Sequence, residues 1–283
     1  MRRVIALLAV TAGLAASTPD ARADDCHHGD VSPQTDADLA VLAGKTCLVG
    51  TLAISGNVTS LRVLNKLTSI DGALTIHGTK KLSSLAGLDQ LERITGSIVI
   101  GGPKRGAPKL RKIDGLNKLV EIGGRLDLRG GYIFIPGRSM IAPIDDVTGL
   151  RSLQRVKGDV MLFDVRAFRG LNALVEIGGT LTISHSKMTD LRGFAKLERV
   201  GERVVIQANT NLRRITGLGA VKIVEGDVVA GCSNRNAVLT ENALRAWTDK
   251  REVKGKVVFV GADVPHSTTV VNGQIVGDPC EGY

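Results

Sequence analysis

The feature that most constrains this chain is a change of apolar spacing that keeps recurring. In "LSSLAGLDQLERITGSIVI", Leu82, Leu85, Leu88, Leu91 and Ile94 stand three apart, then Ile98 and Ile100 stand two apart. Strict threes drift around an α-helix of 3.6 residues per turn instead of holding one face. A lone strand wants twos throughout. A coil that turns on its threes and runs straight on its twos satisfies both spacings.

The unit repeats. Leu61, Leu64, Leu67 and Ile70 precede "GALTI", and Leu110, Ile113, Leu116, Leu119 and Ile122 precede "GGRLDL". Ile144, Val147, Leu150, Leu153 and Val156 precede "KGDVML", and Phe168, Leu171, Leu174 and Ile177 precede "GGTLTI". Two further units lead into "GERVVI" and "EGDVVA". Gly50, Gly72, Gly96, Gly124, Gly158, Gly179, Glu202 and Gly226 mark the step, with gaps of 22, 24, 28, 34, 21, 23 and 24 residues. Steps of this length are those of solenoid coils, which bury little alone and stack to make one continuous core. The expected fold is therefore a β protein, a right-handed single-stranded β-helix with short helical caps. A leucine-rich-repeat horseshoe is the alternative with the same period. Leu126, Val160 and Leu181 are predicted to stack inside, as are Leu128, Leu162 and Ile183.

The ends differ from the repeats. Arg2 and Arg3, an apolar run from Val4 to Ala16 and the small-residue site Ala21-Arg22-Ala23 read as a secretory signal peptide over residues 1–23. Residues 24–49 are expected to form an N-terminal cap, with a helix over Thr35–Lys45, Thr35 as N-cap and Asp38 three residues on. Residues 50–231 carry the repeats. Residues 232–283 form a C-terminal cap containing the helix "LTENALRAWTDK", with Leu244 and Trp247 on one face. No later stretch is apolar enough for a membrane span, so the expected protein is exported: periplasmic, cell-surface or extracellular. Four cysteines suit an oxidising compartment. They allow three pairings, of which Cys26–Cys47 with Cys232–Cys280 keeps one bridge at each end.

The run "L-x-x-L-x-G-L-x-x-L-x-x-I-x-G-x-L-x-I", clearest at Leu82–Ile100, and the ending "GCSNRNAVLTENALRAW" resemble the receptor L-domain family. That family includes the ligand-binding L domains of insulin-type and epidermal-growth-factor-type receptors and exported bacterial relatives. The resemblance covers roughly Cys47 to Trp247 and implies a β-helix used for binding. No cysteine-rich module or kinase pattern accompanies it, so receptor signalling and a hormone ligand are not part of the expectation.

Catalytic motifs are sparse. G-x-S-x-G, H-E-x-x-H and paired C-x-x-C are absent, and no cofactor or zinc site is expected. "AGKT" (Ala43–Thr46) lacks the first glycine of a P-loop, Leu39 standing there. "CHHGD" (Cys26–Asp30) reads as a flexible polar terminus. His77 and His185 follow strands in coils that are not neighbours, so together they make no site. Net charge is +9, and loss of Arg2, Arg3, Arg22 and Asp20 with the leader leaves +7. Such a surface can meet acidic polysaccharide or lipid headgroups. Aromatics at 3% give little to stack single-stranded nucleic acid on, so no nucleic-acid partner is expected.

The function read from these residues is a non-enzymatic recognition or structural module binding a protein or glycan. The rival is a carbohydrate-active β-helix enzyme (polysaccharide lyase or hydrolase) acting near Asp127, Asp159 and Asp164. Asp127 and Asp159 fall in adjacent coils but different columns, and Arg125 is expected to face Asp159. The longest step carries "GGYIFIPGRSMIAP" (Gly130–Pro143), a segment bracketed by Gly and Pro and expected to project as a loop. Tyr132, Phe134, Arg138 and Met140, beside the outward pair Arg125 and Asp127, form the candidate binding patch. Finally, Arg93, Glu121, Arg155, Glu176 and Arg199 alternate in sign one coil apart, which predicts a charge ladder if the coils stack in register.

Overall fold

The computed structural model describes residues 25–102, 106–135, 138–231, 239–259, 270–271 and 274–275. The signal-peptide segment, Cys232 and Cys280 lie outside these residues. The chain forms a parallel β-helix. One parallel sheet runs from Cys26–His28 through Cys47–Val49 to Glu252–Val253, and a second from Leu52–Ile54 to Val257–Phe259. Each coil therefore gives two strands rather than the single one expected. The last apolar residue of each run of threes, such as Ile70, Ile94, Ile122 or Val156, belongs to a strand of two or three residues in the first sheet. A leucine-rich-repeat unit offers one strand and a helix or 3₁₀ turn, so a second sheet separates this stack from the horseshoe alternative.

The remaining side of the coil holds short 3₁₀ turns at Arg62–Leu64, Thr148–Leu150, Arg169–Leu171, Arg192–Phe194 and Thr216–Leu218. The threes suit a 3₁₀ turn, whose three residues per turn return every third side chain to the same side. Leu126, Val160 and Leu181 are partners in register, as are Leu128, Leu162 and Ile183, and all are buried. The positions of the threes are buried with them, from Leu61 to Val224.

Coils approach closely where the repeat carries Gly before its turn leucine or phenylalanine. A methyl group at Gly193 would lie 2.0 Å from the Phe168 carbonyl oxygen and 2.3 Å from Phe168 Cβ. Backbone atoms cannot swing away as a flexible side chain can. Gly193→Ala is expected to destabilise the fold by about 3 kcal/mol, the upper end of overpacking costs, read as a lower urea midpoint. An unchanged midpoint would show that the coils are not packed at this distance.

The charge ladder is in register: Arg93 partners Glu121, Glu121 partners Arg155, Arg155 partners Glu176 and Glu176 partners Arg199. Arg155 reaches Glu121 at 2.9 Å and Arg199 reaches Glu176 at 3.7 Å. Lys157 also bonds Glu121, and Lys157 with Arg155 holds that carboxyl below its ordinary value. Such exposed pairs contribute about 0–1 kcal/mol each. Their larger effect is on register, since slipped coils would face like charges.

The N-terminus departs from expectation. Cys26–His28 is a strand paired with Cys47–Val49, so "CHHGD" starts the stack instead of forming a flexible tail. The Cys26–Cys47 disulfide joins these two strands. The expected helix is a 3₁₀ segment, Ala37–Leu42, preceded by Asp36 rather than Thr35 as cap residue. Asp38 reaches back to accept the N–H groups of Gln34 and Thr35, while Asp36 turns to Thr59 of the next coil. At the other end the helix Glu241–Thr248 is capped by Thr240, whose hydroxyl accepts the Ala243 N–H, and it buries Leu244 and Trp247 against the stack.

Candidate functional site

The segment expected to be a loop is a β-hairpin. The strand Leu126–Ile135 pairs with neighbouring coils over its first residues, runs on beyond them and returns antiparallel as Arg138–Ala142. Tyr132 lies opposite Ile141, Ile133 opposite Met140, Phe134 opposite Ser139 and Ile135 opposite Arg138. Positions alternate along a strand, so 132 and 134 fall on one face of the ribbon and 138 and 140 on the other.

Asp127 does occupy an outward position, in register with Val99 and Met161, yet it is only 2% exposed. Arg129 covers it with a two-pronged ion pair, Nε to Oδ1 at 2.7 Å and a terminal nitrogen to Oδ2 at 3.0 Å. This pair forms where Arg125 facing Asp159 was expected. Asp159 Oδ1 instead accepts the Thr180 N–H at 2.8 Å, stitching one coil to the next. Arg125 is exposed, its own N–H donating to Ser97 Oγ. The reason is local. Arg129 is two residues from Asp127 on the same strand face, and it satisfies both carboxylate oxygens at once.

Asp164 is different. It follows the strand Val160–Phe163 with a left-handed φ of 55°. His185 and Ala208 follow the next two strands in the same conformation, with φ of 55° and 52°. In earlier coils the residue four beyond the first inward strand position is glycine, Gly56 and Gly78, with φ of 66° and 64°. Glycine adopts this conformation freely, whereas side-chain-bearing residues in it cost of order 1–3 kcal/mol. Asp and His are thus held at a corner where the fold elsewhere uses glycine.

A small cleft of about 70 Å³ opens at this corner, lined by Pro143, Asp164, Arg166, His185 and Lys187. The hairpin base closes one side, because Gly130 lies against Asp164: a Cβ there would be 2.8 Å from Asp164 Cβ and 3.1 Å from the Ala142 carbonyl oxygen. Asp164 is 8% exposed, and its Oδ2 is buried without a hydrogen-bond partner. Burial raises its carboxyl above the ordinary carboxylate range, against the opposing pull of His185, Lys187 and Arg166. His185 is oriented by Ser184, whose Oγ lies 2.7 Å from Nδ1, and by Phe163, 4.4 Å away between ring centroids. Arg166 also meets Asp145 at 3.3 Å.

The corner thus combines one buried acceptor, an imidazole and two cations. This arrangement suits capture of a hydroxyl or other donor group. Among the described residues no cluster of three or more His, Cys, Asp or Glu could hold a metal ion. His77, as expected, does not share a site with His185. His185 instead shares its cleft with Asp164 one coil earlier, and the signal for it was available: Asp and His occupy the glycine column.

No protein-family model matches the chain, and no curated protein matches it either. No helix among the described residues is long and apolar enough to cross a membrane.

Proposed function

We propose that this is an exported, non-enzymatic recognition module related to the receptor L domains, which holds a glycan or protein partner at the hairpin and the corner beneath it. One observation carries the reading. Asp164 sits in a left-handed corner, lines a cleft at the root of the inserted hairpin and carries one buried carboxyl oxygen without a partner. A buried acceptor without a donor costs about 1–3 kcal/mol, and the conformation adds to that. A ligand hydroxyl would recover the cost, which makes hydroxyl-rich ligands the favoured class.

The carboxylates support binding over hydrolysis. Glycoside chemistry uses two carboxyl groups flanking one bond. Both oxygens of Asp127 are engaged by Arg129, and Asp159 is bonded to Thr180, which leaves Asp164 as the one carboxylate among the described residues that line its cleft. Export is supported by the leader-like sequence and by the Cys26–Cys47 disulfide.

The test is replacement of residues 132–141 by a short Gly-Ser turn, followed by a glycan array on parent and variant. The variant is expected to keep the parent's circular dichroism and melting transition while losing the array signal. Equal binding by both proteins would place the ligand elsewhere. Turnover of an array glycan by the parent would favour the enzyme reading.

A further inference from the structure

A second concave surface lies at the far end of the stack, outside the corner cleft. It is a groove of about 390 Å³ between the last regular coil and the capping helix Glu241–Thr248. Arg213 and Arg214 line it from the coil, and Lys250 and Arg251 from just beyond the helix. Ala243 and Ala246 present small side chains and leave the groove open. Among the described residues no carboxylate lines it. Asp190 reaches Arg214 only at 3.8 Å, and it also serves Arg192, Thr216 and the N–H groups of Leu191 and Gly217.

Arg251 is the fixed element. Its guanidinium donates to the Trp247, Leu218 and Gly219 carbonyls, and it lies 4.8 Å over the Trp247 ring. Its Nε is buried without a partner. Carbonyls at a helix C-terminus account for part of this arrangement. They do not account for three further cations converging on the same groove, since exposed like charges otherwise spread apart. A groove of one sign draws counter-ions of the other and raises their local concentration.

We propose that this groove binds the sulfate or carboxylate groups of an acidic polysaccharide. The electrostatics call for a polyanion, and the choice of a polysaccharide rests on the exported reading above. Several spaced anions along one chain match several spaced cations along one groove, whereas one small anion would meet only some of them. Arginine forks suit both sulfate and carboxylate oxygens.

The groove contains its own reporter. Trp247 is the one tryptophan of the sequence, and it lines the groove beneath Arg251. The full chain would be titrated with a heparin hexasaccharide and with an oligogalacturonate while Trp247 emission is followed. Measurements at about 20 mM and about 300 mM salt bracket weak and strong screening. A saturable change that weakens at high salt is expected with one or both probes, and the better probe identifies the anion. Arg213→Gln/Arg214→Gln/Lys250→Gln is expected to weaken binding by about tenfold or more, roughly 1.4 kcal/mol. All three side chains are exposed, so the fold should persist. Lys66→Gln/Lys80→Gln/Lys81→Gln removes the same charge from other exposed positions and should bind as the parent does. Asp164→Asn should also leave the emission change intact, which separates failure of this proposal from failure of the corner reading. No emission change with either probe, equal loss in both triple variants, or loss in Asp164→Asn would overturn the groove.

Discussion

Leu181→Asp abolishes cooperative folding. Leu181 is fully buried, held in register between Val160 below and Val204 above. The change removes about 1.5–3 kcal/mol of apolar burial. It also strands a carboxylate among apolar neighbours, and an unpaired charge there costs far more than a neutral polar group. Against a net stability of about 5–15 kcal/mol, the fold has little to spare. Coils touch only their neighbours, so a failed interface at this strand divides the stack into two short pieces. The expected urea curve by circular dichroism is a shallow slope without a transition. Leu181→Ala serves as the graded comparison: it leaves a cavity costing about 2–5 kcal/mol and should unfold cooperatively at a lower midpoint. A Leu181→Asp protein with the parent's melting temperature would show that this position faces out.

Stacked positions were legible because burial repeats along the stack. A side chain in the threes or the twos meets its own kind in the next coil, so Leu85, Leu88 and Ile98 could be placed from one copy of the motif and checked against the others. The first sheet, from Cys26–His28 to Glu252–Val253, was not legible. Its strands are mostly two or three residues long, such as Arg93–Ile94 and Glu121–Ile122, and two residues have no period to detect. The first strand was missed although its spacing announced it. Cys26 and Cys47 are separated by 21 residues, one coil step, which is what two stacked cysteines require. In the sequence, Gly130, Gly131, Pro136 and Gly137 give the hairpin segment the signature of a loop and outweigh the alternating residues between them. The cover over Asp127 came from Arg129 on its own strand, a pairing that column-by-column comparison of different coils does not examine. Val205 and Val229, which alternate with the inward strand positions, are likewise buried, 0% and 3% exposed, so the outer face of the later coils is not uniformly solvated.

At neutral pH, Asp164→Asn is expected to make the protein more stable and to remove its ligand binding. Asparagine keeps the side-chain shape and tolerates the left-handed conformation at φ 55°. It removes the buried charge whose Oδ2 has no partner. Burial raises the folded-state pKa of Asp164, against the pull of His185, Lys187 and Arg166. The folded protein therefore holds this proton more tightly than the unfolded chain, whose carboxyl titrates near 3.9. Between the two pKa values stability falls as pH rises, and above the folded value the full cost remains. The parent should therefore lag the variant at pH 7, and the gap should close as pH falls through the folded value. A gain of about 1 kcal/mol, the low end for an unsatisfied buried group, corresponds to roughly 2–4 °C in melting temperature for a chain of this size. Hydrogen bonds to charged groups contribute about 1.5–3 kcal/mol, so a ligand donor that loses the carboxylate should bind at least about tenfold more weakly. Asp164→Ala completes the set: it deletes the acceptor but keeps the strained corner without a polar side chain to support it, and should bind poorly without matching the asparagine variant's gain. A structural Asp164 predicts the reverse pattern, with Asp164→Asn melting lower than the parent and array binding unchanged, and that result would remove the corner from the recognition surface.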